Sequence, residues 1–422
     1  MNLKLSSFPI DKIEESHKTE LDGHLLLLNR KEIEDLLMQD RRLHSVGIDL
    51  VHPGESCRII NILDVFEPRI KIMDGGETFP GILGPARLVG SGTTNALKGM
   101  CVMTCGPMEG AEDALLDMAG PCAELSDYAR LETVVLSLTP TEGLSRAEFA
   151  KAAVQAGVRV SLFLGEVTRT KEPQASKQFE LSSIAQATGI RPSLPRIVHV
   201  NFLFSHGELR DMLLYGKDTR GLVPTPIHPN EVMDGAIVWS GFSRPTKNTT
   251  YDNLNNGIIR TLYEAHGKSI FFAGCIVANH HKLFEEKTLN AELVARLAGD
   301  ILGADGVIIS KDGGGQADTD LMQTCERCEE RGVKTTILAM ELGGAGGSSA
   351  GALVDASPRA DAIVSAGNSS EDLRLPGMSR IVGGERLKDY DQDPHEPVTV
   401  PTNKVAGIIS FYGDNKLGAL EY

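Results

Sequence analysis

The chain has 422 residues, 41% of them hydrophobic and 23% charged, with a formal net charge of −15. That length allows two or three domains, each with its own core, and the acidic balance argues against a nucleic-acid or anionic-membrane surface. The opening MNLKLSSFPIDKIEESHK has no apolar signal-peptide core, and no stretch nears the ~20 apolar residues that span a bilayer, so a cytoplasmic protein handling small molecules is expected.

A β-containing opening segment leads to a helix over 31–40. RIINILDVFEPRIKI (58–72) alternates and is rich in β-branched residues, which predicts one long strand. Glycines dominate from Gly75 to Gly99, and the apolar run 98–106 reads as a buried strand. Next come a strand over 132–140, a helix over 145–157 with Ser145 as N-cap, a strand over 158–166 and another over 196–205. The second half predicts strands over 269–279, 304–310, 333–341 and 360–367. Between them lie helices over 289–303, closed by a glycine, and 318–332, capped by Asp318 or Thr319. This pattern predicts an α/β protein of two α/β halves, 1–240 and 241–422, the second a doubly wound, mainly parallel sheet.

In such a sheet ligands bind beyond the carboxyl ends of the strands. Three loops fall there: VANHH (277–281), KDGGGQADTD (311–320) and MELGGAGGSSAG (340–351). They make Asn279, His280, Gly314, Glu341, Ser348 and Ser349 candidate substrate-binding residues in one shared pocket. Asp318 and Asp320 are candidate acid/base carboxylates, with a helix cap as the other explanation for Asp318. Neither glycine-rich loop has a Rossmann or P-loop fingerprint. Adjacent His280 and His281 at a strand end should point to opposite sides, and no metal-ligand spacing is present, so no metal is expected. Seven cysteines without disulfide rhythm imply reduced thiols, and CVMTC (101–105) and CERC (325–328) read as structural.

The centre of the chain holds a different signal. An apolar run, Gly235 to Trp239, breaks at Ser240-Gly241 and resumes as the polar KNTTYDNLNNG (247–257). The break and its clustered hydroxyls suit an autoprocessing point, a ligand loop or an ordinary turn. Ser243, Lys247 and Thr249 are candidate catalytic residues here, and Thr250 and Tyr251 candidate substrate-binding ones.

This junction resembles that of the glycine/sarcosine/betaine reductase component B proprotein family, more distantly the D-proline reductase proprotein. HPGESCRIINILDVFEPRIKI (52–72), TFPGILGPARLVGSGTTNALKGM (78–100), YGKDTRGLVPTPIHPNEVMDGAIV (215–238) and LGADGVIISKDGGGQADTDLM (302–322) carry the resemblance in order. It implies a subunit acting on a small amine or amino-acid derivative by C–N cleavage. It also implies a thiol- or selenol-bearing partner subunit, an oligomeric complex, and a pyruvoyl group made from a cysteine at the junction. This chain has no cysteine between Cys122 and Cys275, and its junction reads SGFSRPT (240–246). Two alternatives follow. Ser243 supplies the carbonyl through an ester and a dehydroalanine, or the chain stays uncut and binds a small ligand, with hydrolase or lyase chemistry open.

Overall fold

The computed structural model describes the chain apart from residues 75, 109–113, 190–192, 206–210, 240–247, 345–352, 388–391 and 418–422. The main elements of the first half, in chain order, are β1 (Asn2–Pro9), α1 (Arg30–Leu37), β2 (Leu43–Val51), β3 (Cys57–Ile60), β4 (Ile62–Phe66) and β5 (Arg69–Met73). They continue as β6 (Gly92–Lys98), β7 (Met100–Cys105), β8 (Glu132–Pro140), α2 (Arg146–Glu166) and β9 (Ala175–Glu180). Two four-stranded mixed sheets result, in the orders β9-β1-β6-β5 and β2-β8-β7-β4.

Helix α2 packs on β4, β5 and β7 and runs unbroken through 158–166, where a strand was expected. Its start is as predicted: Ser145 and Glu148 form a reciprocal capping box. Gly157, placed by sequence at the helix end, lies inside it, because the helix approaches Phe66 there. A Cβ at 157 would stand 2.2 Å from the Phe66 ring. The buried positions Ala153, Ala156, Val160 and Leu164 follow helical spacing, so tertiary packing overrides the β-branched propensity of VRVSLFLGE. The long strand expected over 58–72 is three strands. Asn61 adopts a positive φ of 56° between β3 and β4, and Pro68 interrupts the next step.

The chain continues with β10 (Arg196–Leu203), β11 (Thr225–Ile227), β12 (Ile237–Trp239), α3 (Thr250–Leu254), α4 (Gly257–Ala265) and β13 (Phe271–Asn279). After it come α5 (Phe284–Arg296), β14 (Gly306–Lys311), α6 (Ala317–Glu330), β15 (Lys334–Glu341), β16 (Ile363–Asn368) and β17 (Arg380–Val382). Six strands form one sheet in the order β11-β13-β10-β14-β15-β16, all parallel except the edge strand β11. This is the doubly wound sheet that the alternation predicted. It takes β10 and β11 from before residue 240 and four strands from after it.

Strand β13 shows why both faces need cover. Ala273, Ile276 and Ala278 join the core under α5 and α6, while Phe272, Cys275 and Val277 join the core with α4. Cys325 and Cys328 of CERC are both buried in the α6 face, and burial pushes the Cys328 thiol up to about 12, so this pair packs as apolar side chains. From β10 the chain passes to β13 on one side and then crosses to β14 on the other. The order therefore reverses between β10 and β14, the position at which open α/β sheets bind ligands beyond the carboxyl ends. The first half is tied on by β17, which pairs parallel with β3. Arg58 of β3, fully buried, pairs with Asp117 at 2.7 Å.

Candidate active site beside the central junction

Residues 240–247, with Ser243 and Lys247, lie outside the described residues, as do Ser348 and Ser349. Both flanks of the junction are described. On one side Trp239, at the end of β12, is buried, and its N–H donates to Thr250 Oγ1 at 3.0 Å. On the other side the Asn248 N–H donates to Asp312 Oδ1 at 2.6 Å, and Asn248 Oδ1 accepts from the Phe411 N–H. Asp312 directly follows β14, and its own N–H donates to Phe202 O of β10. The chain thus leaves the junction at the sheet's topological switch point.

Helix α3 starts immediately after. Thr249 caps it, with Asp252 closing the box. Tyr128 reaches in from the first half: its OH is 2.5 Å from Thr249 Oγ1 and donates to Asp252 Oδ1 at 2.7 Å. Thr250 donates its hydroxyl to the buried Asp64 at 2.6 Å, so it fastens α3 to β4. Tyr251 lies edge-on to Tyr128, ring centroids 5.5 Å apart. A further chain runs from Asn253 Oδ1 through Tyr412 OH and Asn201 to Ser310 and His199 inside the parallel sheet.

Against this start opens a cleft of about 320 Å³, lined by Lys98, Tyr128, Tyr251, Asp252, Arg260 and Asp414, among others. Its charges are mixed. Lys98 donates to Glu67 Oε2 at 2.7 Å and to Asn255 Oδ1 at 2.9 Å, yet its side chain keeps 30% exposure. Burial of the ammonium outweighs Glu67 and holds Lys98 down at about 8. Burial lifts the Asp252 carboxyl to about 6, against the hydrogen bonds from Tyr128 and Thr249 that favour its charged form. Arg260, at the mouth, pairs with Asp414 at 3.3 Å. A cation and an anion, each shifted toward neutrality and facing a small cavity, can take a ligand that carries the complementary pair.

The strand-end candidates are placed differently. Lys311 is buried and ion-paired with Asp318, whose other oxygen accepts the Val354 N–H at 2.8 Å. Asp320 is ion-paired with Lys287, and its Oδ2 is 3.1 Å from His280 Nδ1. Two lysines and two aspartates balance around an imidazole that burial keeps neutral. Asp318 does not cap α6: the helix starts at Ala317 after Gln316, with no side-chain cap. Asn279 clamps two strand ends, accepting from the Ser205 N–H and donating to Ser205 O. Gly314 packs on Met340, whose Cε would lie 2.1 Å from an added Cβ. Glu341 belongs to another set, accepting from Ser365, with its backbone O accepting from Ser369. His280 is fully buried and His281 partly exposed, and both line one cleft.

Of the predicted residues, then, Tyr251 lines the cleft beside the junction, with Thr249 behind it, and Asp318, Asp320 and His280 converge beneath the strand ends. Lys98, Tyr128, Asp252 and Arg260 were missed. Only Asp252 had a local signal, the Thr249-x-x-Asp252 box; Lys98 and Tyr128 arrive by tertiary folding. The seven cysteines are all buried and none lies in the junction, so a cysteine-derived carbonyl has no precursor there. Among the described residues no group of three or more His, Cys, Asp or Glu is placed to hold a metal ion. No described helix is long and apolar enough to cross a membrane.

An α/β protein with a topological switch point in its parallel sheet and a charged cleft beside the junction is the class that fold and site define. The family model "Glycine/sarcosine/betaine reductase component B subunits" matches residues 1–396, and the chain belongs to that family. It is 37% identical to the glycine reductase complex component B subunits alpha and beta of Acetoanaerobium sticklandii, over 100% of both chains. It is 36% identical to the sarcosine reductase complex component B subunit alpha of Peptoclostridium acidaminophilum, over 92% of this chain and 90% of that one. For the betaine reductase complex component B subunit alpha of the same organism the identity is 34%, over 91% and 88%. No solved structure matches the chain.

Proposed function

We propose that this chain is a component B type subunit that holds a small zwitterionic amine or amino-acid derivative in the Lys98–Asp252 cleft, and that it works as an uncut chain beside a partner subunit. One observation carries this reading: the cleft presents a partly desolvated ammonium and a partly desolvated carboxylate next to the junction. Lys98 and Arg260 suit a ligand carboxylate, and Asp252 suits a ligand nitrogen cation. Glycine, sarcosine and betaine, for which the relatives are named, are small molecules of that charge pattern. The relatives lie within 34–37% identity, so relatedness does not choose among the three. The absence of a junction cysteine supports the uncut chain. In this reading reductive C–N cleavage belongs to the assembled complex, with reducing equivalents from a thiol or selenol of the partner.

Two measurements test the reading. Calorimetric titration with glycine, sarcosine and betaine should show binding of at least one, and Lys98→Met should abolish it. No binding of any to the folded chain would refute the cleft assignment. Intact mass with hydrazide labelling should give a single unlabelled chain near 45.4 kDa. Two fragments, the C-terminal one labelled, would instead assign a carbonyl to Ser243 or a neighbour.

A further inference from the structure

Helix α5 buries one face, with Asn290, Ala291, Val294 and Ala295, against β13 and α6. Its other face carries Glu286, Leu289, Leu293, Arg296 and Asp300 at three- and four-residue spacing. The wide turn Leu297–Ile301 keeps Ala298 buried and turns Asp300 and Ile301 outward. Leu289, in the middle of this stripe, is 60% exposed. At its two ends Leu283 and Phe284 are 63% and 68% exposed, and Ile301 is 51% exposed. Single apolar residues on a surface are ordinary, but four large ones along one helix mark a face that a partner covers.

The charges say which partner. In chain order the stripe reads cation, anion, leucine, leucine, cation, anion: Lys282, Glu286, Leu289, Leu293, Arg296, Asp300. Reversed, the same order is its own complement. A second α5, turned about a two-fold axis between Leu289 and Leu293, lays its Asp300 on Lys282, its Arg296 on Glu286 and its Leu293 on Leu289. Each pair occurs twice, as an isologous interface requires. Lys282, Arg296 and Asp300 are exposed and make no ion pair among the described residues, and Glu286 reaches its own His281 only at 3.7 Å. Lys282 precedes the helix and Asp300 lies in its last turn, the ends where the helix dipole disfavours those charges, so their own helix does not account for them. From Leu283 to Ile301 the stripe runs about 27 Å, long enough for an antiparallel helix pair.

We infer that α5 is a homodimer interface, in which two copies of this chain pack their α5 helices antiparallel about a two-fold axis. Leu289 of one copy meets Leu293 of the other, and Glu286–Arg296 and Lys282–Asp300 pairs flank that contact on both sides. Leu283 and Phe284 at one end are set towards Ile301 of the second copy. A foreign surface has no reason to match a stripe that complements itself.

The test follows the full-length chain, purified alone, by sedimentation velocity at micromolar concentration and low salt. The expected species has twice the 45.4 kDa chain mass. Leu289→Glu places a carboxylate against Leu293 twice per dimer and should weaken dimerisation at least about a hundredfold. Its circular dichroism should stay unchanged, because Leu289 is exposed in the single chain. Lys282→Glu and Asp300→Lys should each weaken the dimer about tenfold, less at high salt. The double variant restores opposite charges across the axis and should recover the affinity. The two positions lie about 27 Å apart on one helix, so they cannot compensate within a chain and the rescue reads the antiparallel contact alone. A chain that stays monomeric would overturn the inference and leave the face to a different subunit. A dimer that survives Leu289→Glu, or charge reversals that do not rescue each other, would overturn it as well.

Discussion

Two groups of charges in this fold, one buried and one half-buried, differ in one respect. Beneath the strand ends, Lys311 with Asp318 and Lys287 with Asp320 are matched one to one and closed over. Beside the junction, Lys98 shares Glu67 with Arg69, and Asp252 rests on hydroxyls rather than on a cation. In the first group each carboxylate is ion-paired to its own lysine, which holds the glycine-rich 312–316 loop against α6, while the second oxygen of Asp320 has no hydrogen-bond partner. The second leaves residual charge toward a cavity. Burial alone does not mark a functional charge; burial with an incomplete partner set does.

The largest expected effect comes from breaking the closed group. Lys311→Met strands the Asp318 carboxylate in the interior and should cost about 3–5 kcal/mol in urea unfolding. A loss under about 1 kcal/mol would show that the pair is not buried as described. The matching change in the open group should behave in the opposite way. Lys98→Met leaves Glu67 still paired with Arg69 at 2.5 Å, so stability should fall by less than about 2 kcal/mol while amino-acid binding falls more than tenfold. If Lys98→Met proves as destabilising as Lys311→Met and spares binding, the comparison fails.

The third prediction is a pH window. Asp252 is charged only above about 6 and Lys98 only below about 8. A ligand that needs both charges should bind best between those values. Below the window the Asp252 carboxyl is protonated and the ligand cation loses its partner; above it the Lys98 ammonium is neutral and the ligand carboxylate does. Affinity should drop up to tenfold per pH unit on each side by simple titration. Calorimetry from pH 5 to 9 gives the profile, and a flat one would remove both residues from the site. The smallest effect is expected at the mouth. Arg260 is half-exposed and paired with Asp414, so Arg260→Gln should weaken binding only about twofold to fivefold, less so at high salt.

Sequence patterning was sufficient for the parallel sheet. Runs such as SIFFAGCIVAN and ADGVIIS are apolar on both faces, and only a strand covered on both sides accommodates that. Patterning misled at VRVSLFLGE, where Val158 and Val160 suggested a strand while Phe66, about ninety residues away in sequence, set the packing of the helix at Gly157. Helix spacing and strand alternation overlap in so short an apolar run, and tertiary contact decides. The same logic applies to the cleft. Thr249 and Asp252 sit in one legible box, but Tyr128 and Lys98 complete the site from the first half across more than a hundred residues of sequence.

By itself the sequence determined the family, the alternation of strands and helices, and the absence of a cysteine from the junction, because these are properties of residue order and local periodicity. The tertiary structure decided the rest. It supplied β10 to the middle of the parallel sheet from before residue 240, directed Thr250 to Asp64, and closed Asp318 and Asp320 over two lysines. It also left Lys98 and Asp252 facing a cavity. Which charges are neutralised and which stay available depends on partners brought together by folding, and no local pattern encodes that.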